Sequence, residues 1–247
     1  MSAGDGRWVG LADGVLARRH DELDLTTGLV LGADRALVVD TRGDARQGAE
    51  LAAAVRAVTD LPVTVVLTHA HFDHCFGTAA FGPVPVYAQA GCAAAISATA
   101  AQQRTEWVRY YREHGDPATA DALAATDPPL PDRPVCPRPG DTALLDLGGR
   151  RAVLLHPGPG HTGHDLAVHL PDDAVLFAGD LLENGAPPSH GPDAHPADWP
   201  AAVDALLALG ATRIAPGHGD PMTPSQAVAQ RDELAVVARL HTGPSAQ

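Results

Sequence analysis

THAHFDHCFG, residues 68–77, is the stretch on which the reading of this chain turns. His69, His71, Asp73 and His74 crowd together directly behind the apolar run Val63-Thr64-Val65-Val66-Leu67. A short apolar run of this kind reads as a buried strand. Strands alternate their side chains, so residues 69, 71 and 73 share one side if the chain stays extended, and a turn at 73–74 brings His74 round. Neutral imidazole and carboxylate suit zinc or another divalent first-row ion. Four such groups exceed what one zinc needs if a position is to stay open for water, so the pattern divides into two sites.

Further coordinating residues are then expected where later apolar segments end. In LLHPGPGHTGHDL, His161 follows the strand ending at Leu155, behind a Gly/Pro turn. In AVLFAGDLL, Asp180 follows the strand ending at Ala178, and in RIAPGHGD, His218 sits between two glycines. Glycine lets backbone pass close to a crowded site. The loop from Glu183 to Trp199 is rich in Pro and Gly and tethered beside Asp180. It belongs on the rim of a groove, with Glu183 or His190 at the substrate and His195 as an exposed loop residue. His164 reads as solvated or structural, and Cys75 as a small buried residue. Asp40, at the end of ALVVD, is either a strand-end cap or a carboxylate that holds a ligand histidine.

The bulk properties bound the answer. With 247 residues and 45% hydrophobic content, the chain can bury a substantial core, built from Ala, Val and Leu because aromatics are only 4%. A net charge of −13 repels phosphate backbones and anionic lipid headgroups, which excludes nucleic acid and membrane surfaces as expected partners. Three cysteines are too few and too scattered for a disulfide framework. The first residues lack the apolar core of a secretory leader, no run is long enough to span a membrane, and only the last few residues look like a loose tail, so a cytoplasmic protein is expected.

Periodicity gives the order of elements. Strands are expected at 15–19, 23–31 and 36–40, with a turn at Gly32-Ala33-Asp34. Residues 44–58 read as a helix with Leu51, Val55 and Val58 inward and an Asp44/Gln47 capping box. A strand at 63–67 precedes the motif and one at 85–87 follows it. An Ala-rich helical stretch runs from 90 to about 125, broken near Gly115-Asp116-Pro117, and a Pro-rich loop covers 127–139. Strands return at 142–147, 152–155, 166–170 and 175–178. Asp198 is placed to cap a helix with Val203, Leu206 and Leu207 inward and Gly210 as its stop, and Thr223-Pro-Ser-Gln226 is a capping box. Two runs of strands, each followed by helices, imply two sheets with helices outside.

The set THAHFDH, GHT, AGD and PGHG resembles the metallo-β-lactamase-fold hydrolases, which include glyoxalase II and metal-dependent lactonases. The resemblance covers roughly residues 10–220. It implies an α/β protein of the α+β kind, a four-layer αββα sandwich with two mixed β-sheets, as a single domain over 1–247 with a helical insertion at about 90–139. It further implies that His69, His71 and His161 hold one metal, that Asp73, His74 and His218 hold a second, and that Asp180 bridges them. The cofactors would be two Zn²⁺, with iron or manganese as alternatives. The activity would be that of a metallohydrolase attacking a small thioester, lactone or related acyl substrate with a metal-bound hydroxide, oriented by Asp73 as the catalytic residue.

Departures from the family narrow it. About thirty residues follow His218, too few for the glutathione-gripping helices of glyoxalase II. Acyl-homoserine lactonases carry a tyrosine where this chain has Glu183, and the flavo-diiron branch carries a glutamate where it has His71. A mononuclear iron, persulfide dioxygenase-like oxidoreductase using His69, His161 and Asp180 is one competing expectation, and a β-lactamase is another. A binding protein that had lost catalysis would be expected to have lost a ligand.

Overall fold

The computed structural model describes residues 6–242. The first five residues, part of the segment read as lacking a leader, and the last five, read as a loose tail, lie outside them. The first sheet contains β1 (Arg7–Ala12), β2 (Val15–Arg19), β3 (Thr26–Leu31), β4 (Ala36–Val39), β5 (Val63–Val66), β6 (Val86–Gln89) and β7 (Arg133–Val135), in that spatial order. Pairings from β1 to β4 are antiparallel and those from β4 to β7 are parallel. The second sheet has β8 (Thr142–Asp146), β9 (Arg151–Leu155), β10 (Ala167–Leu170), β11 (Val175–Glu183) and β12 (Arg213–His218), ordered β12-β11-β10-β9-β8, with only β11 and β12 parallel.

Parallel neighbours need long crossovers, and helices supply most of them. Helix α1 (Ala45–Val58) links β4 to β5, and the single turn α2 (Phe72–Cys75) follows β5. Helices α3 (Cys92–Glu113) and α4 (Pro117–Ala124) separate β6 from β7, α5 (Trp199–Leu207) links β11 to β12, and α6 (Pro224–Thr242) follows β12.

Successive residues of the central strands point to opposite faces, and both faces are buried. Val30, Leu37, Val39 and Val66 meet Leu154, Val168 and Phe177 between the sheets. Their neighbours Leu29, Val38 and Val65 pack outward with Leu51, Val55 and Ile96 of α1 and α3. On the far side, Leu176 and Ala178 pack with Trp199, Leu206 and Leu234 of α5 and α6. Three apolar layers between four polypeptide layers make the expected αββα sandwich. No helix among the described residues is long and apolar enough to cross a membrane.

Several expectations shift. β1 was not foreseen. The strand expected from Leu23 begins only at Thr26, because residues 22–24 form a 3-10 turn with Leu23 at φ 53° and Asp24 at φ 54°. Part of the Pro-rich loop is the edge strand β7, where Pro134 is tolerated. Val58 is 38% exposed, since it ends α1 and turns off the sheet. Asp44 caps α1 by accepting the Gln47 N–H, while Gln47 Oε1 accepts from Gly43 N, one residue earlier than a capping box requires. Thr223 N does donate to Gln226 Oε1. Asp198 sits before α5 in a helical conformation with no capping bond from its side chain, and Leu207 is only partly buried.

Candidate metal centre

The motif does not stay extended. β5 stops at Val66 and α2 starts at Phe72, so residues 69, 71 and 73 do not share one side as a continued strand would require. The helical turn points the ligand atoms of Asp73 and His74 toward His218, although the His74 ring stays beside that of His69, centroids 4.3 Å apart. Two groups result: His69, His71, His161 and Asp180 in one, and Asp73, His74 and His218 in the other, each with its ligand atoms within 4.8 Å of one another.

Asp180 does not follow its strand but lies inside it, since β11 continues to Glu183. The register against β12 shifts at Gly179, which has φ 54°. Such a bulge re-aims the next side chain, and Asp180 turns between the two groups. Its Oδ2 is 3.4 Å from His161 Nε2, 3.7 Å from His69 Nε2 and 3.3 Å from His218 Nε2, and its Oδ1 is 3.1 Å from His74 Nε2. Gly217 makes room for this carboxylate: a Cβ there would stand 1.8 Å from Asp180 Oδ1.

The outward contacts of the five histidines set their tautomers. His74 Nδ1 is 2.8 Å from Asp40 Oδ2, His218 Nδ1 is 2.8 Å from the Leu23 carbonyl, and His161 Nδ1 is 3.1 Å from the Ser189 carbonyl. His71 is turned the other way, with Nε2 3.1 Å from Asp193 Oδ2. His69 Nδ1 is 3.0 Å from Thr68 Oγ1, whose own proton goes to Asp40 Oδ2 at 2.8 Å. In every case the outer nitrogen faces an acceptor and must donate. Each inner nitrogen of a neutral ring is therefore a lone pair.

Those lone pairs face one another. His161 Nε2 and His71 Nδ1 are 2.9 Å apart, and His74 Nε2 and His218 Nε2 are 3.3 Å apart. His69 Nε2 and Asp180 Oδ1 are buried without a hydrogen-bond partner; His74 Nε2 approaches Asp180 Oδ1 but not along a bonding direction. Converging acceptors in a buried place are unfavourable unless cations sit among them. Protons are one remedy: burial opposes it, but Asp180 and Asp73 outweigh burial and raise His218 to about 10, and with Asp40 they raise His74 well above its ordinary value. Burial instead lowers His161 to about 4 and takes His69 well below its ordinary range. Some rings are thus poised to stay neutral while others hold protons that a metal would displace. The donor set fits a pair of metal ions.

A cavity of about 530 Å³ opens over both groups. One wall is Phe72 against Trp107, ring centroids 4.5 Å apart, with Thr99, Gln102 and Gln103 of α3 beside them. Gln103 also grips the motif, accepting from Phe72 N and donating to the Ala70 carbonyl. Glu183 lines the cavity and accepts from Ser189 N; burial, then the neighbouring Asp180, pushes it up to about 7. His190, expected at the substrate, has its ring against Trp199 at 5.0 Å and is not part of the lining, which Ser189 and Asp193 supply instead. His195 is exposed. His164 is structural: its Nε2 accepts from Ala70 N within the motif. Cys75 is buried, as expected.

Asp40 is both of the alternatives at once, since it ties the Thr68 backbone and holds His74. Asp193, Thr68 and the Leu23 and Ser189 carbonyls escaped the sequence reading. Only an acidic residue in a loop already placed beside the site could have pointed to Asp193; a backbone carbonyl leaves no sequence signal.

Residues 22–218 match the Metallo-beta-lactamase superfamily. An acyl-coenzyme A thioesterase, MBLAC2 of Gallus gallus, is 27% identical over 202 residues, 77% of this chain and 70% of that protein. The metallo-beta-lactamase type 2 of Bacillus cereus is 26% identical over 203 residues, 79% and 67% of the two chains. Among solved structures, the metallo-beta-lactamase FIM-1 from Pseudomonas aeruginosa, in its mono-zinc form, superposes with a TM-score of 0.72 at 21% identity over 97% of each chain. These relatives are thioesterases and β-lactamases, so the narrower likeness to glyoxalase II and lactonases is not what they carry. With the family matched across most of its length and two histidine–aspartate groups at one cavity, the chain belongs to the metallo-beta-lactamase superfamily and is a metallohydrolase.

Proposed function

We propose that this protein is a dinuclear zinc hydrolase acting on a thioester, lactone or related small acyl substrate. The observation that carries the reading is the set of five imidazole lone pairs and two carboxylates turned inward, each imidazole fixed by an outer acceptor. Nitrogen and carboxylate donors suit zinc. In this reading His69, His71 and His161 would hold one ion and Asp73, His74 and His218 the other, with Asp180 shared between them. A single iron on His69, His161 and Asp180 leaves the Asp73–His74–His218 group without a task, which favours two ions.

Two such ions, when bound, supply Lewis acidity at a carbonyl and bring the pKa of water to about 7. The protein's own residues do the rest. Asp73 lines the cavity and uses Oδ2 toward His218 at 3.4 Å, leaving Oδ1 to orient the attacking water and accept its proton. Phe72 and Trp107 cover the acyl group and exclude bulk water from it. We take residues 90–139 as an insertion within a single domain; it contributes this wall through α3. The likeness to an acyl-coenzyme A thioesterase supports ranking thioesters first among the candidates.

Zinc-loaded protein assayed against thioesters, lactones, β-lactams and phosphodiesters tests the reading. Thioester or lactone turnover should stop with a chelator and return with zinc. Turnover of β-lactams alone, or oxygen consumption with a persulfide by an iron-loaded protein, would refute it.

A further inference from the structure

The cavity also carries a charge pattern. Beyond Asp73 and Asp180, its lining includes Asp24, Glu106, Glu183 and Asp193, and among the described residues no arginine lines it. Lysine cannot contribute, because all 17 basic residues of the chain are arginines. The arginine behind Asp24 is already committed. Arg19 NH1 donates to the Asp24 and Leu25 carbonyls and to Thr26 Oγ1, its Nε donates to Asp220, and its NH2 pairs with the Asp24 carboxylate. With a side chain 7% exposed, it cannot turn to meet a substrate anion.

The carboxylates differ in how far they are balanced. Asp24 has Arg19, and Asp193 accepts a hydrogen bond from His71 Nε2. Glu106 is exposed on α3 and accepts only the Gln102 amide, with no cationic partner among the described residues. Next to it in sequence, Trp107 turns an aromatic ring to the same cavity. A carboxylate and an aromatic ring lining one cavity both favour a cation, the first by charge and the second by the ring quadrupole. The same pair repels an anion, and, apart from the metal ions and the histidines that would hold them, no cationic side chain among the described lining residues offsets that repulsion.

We propose that this cavity selects its acyl substrate by charge: substrates with a cationic group near the scissile bond react fastest, neutral ones next and anionic ones slowest, with Glu106 as the residue that sets the order. The inference rests on the acyl-hydrolase reading above and names its substrate class.

The test uses three thioesters of one acyl group, with thiocholine, mercaptoethanol and mercaptopropionate as the cationic, neutral and anionic thiols. Each kcat/KM of the zinc-loaded protein is divided by the rate of hydroxide-catalysed hydrolysis, which removes differences in thiol acidity. The cationic ester should lead the anionic one by about tenfold or more at low salt, and the gap should narrow as salt is added. Glu106→Gln should lower the cationic rate and raise the anionic one, and Glu106→Arg should invert the order. Both changes fall on an exposed helical position and should leave the melting temperature in place. Equal rates, or an anionic preference, would overturn the charge selection while leaving acyl hydrolysis standing. An order unchanged in both Glu106 variants would overturn the assignment to Glu106. Absence of turnover with all three esters and with lactones would overturn the acyl-hydrolase reading, and this inference with it.

Discussion

Replacing Asp40 with asparagine should weaken metal binding although Asp40 touches no metal. Asp40 is 2% exposed and makes three bonds of 2.8 Å: Oδ1 accepts from Thr68 N, and Oδ2 accepts from Thr68 Oγ1 and His74 Nδ1. The backbone tolerates the change, because Asp40 has φ 63° and asparagine enters that region readily. The hydrogen-bond accounting does not. If the new amide oxygen keeps Thr68 N, its NH₂ faces His74 Nδ1, and the His74 proton must move to Nε2, where the lone pair is needed. Thr68 Oγ1 then accepts from that NH₂ and donates to His69 Nδ1, which moves the His69 proton to Nε2 as well. One ligand is lost from each group.

Disturbing a residue that orients a ligand typically costs 10- to 100-fold in metal affinity, equivalent to about 1.4–2.8 kcal/mol per ion. Competition for zinc against a chelator of known affinity measures the loss directly. Thermal melting of the metal-free variant separates it from misfolding. Wild-type affinity for both ions in a folded Asp40→Asn protein would refute the tautomer argument.

Asp193→Asn should act in the same way on His71 alone, and more weakly, because Asp193 is 44% exposed and water can replace it; about tenfold or less for one ion is expected in the same competition. Gly217→Ala puts a Cβ into the Asp180 carboxylate, so the variant should lose metal, read as zinc per chain, and its melting temperature should fall because backbone must move as well. Trp107→Ala removes half of the Phe72–Trp107 wall, and KM for long-chain acyl substrates should rise several-fold with zinc content unchanged.

The sequence made the candidate ligands legible because most stand just past a buried apolar run, and hydrophobic periodicity marks such ends. It made the layers legible for the same reason: Val63–Val66 and Ala36–Val39 are buried on both faces and read as continuous apolar runs. What it hid was the conformation between those points. The turn α2 is only four residues long, too short for a periodic signal, yet it decides which ligands share a group. The bulge at Gly179 is invisible as a pattern, so Asp180 read as lying past its strand. The rim was harder still. Pro and Gly forecast a loop from Glu183 to Trp199, but not that Asp193 would face inward while His190 turned to Trp199. Which loop side chain points inward is a tertiary outcome, set by packing rather than by local preference.

The most direct test of the account is the metal content of protein purified without chelator and then titrated with zinc, followed by elemental analysis. Five inward lone pairs and two carboxylates predict two zinc ions per chain, and Asp180→Asn should fail to hold both because the bridging charge is gone. A single iron per chain, or two ions bound equally well by Asp180→Asn, would contradict it.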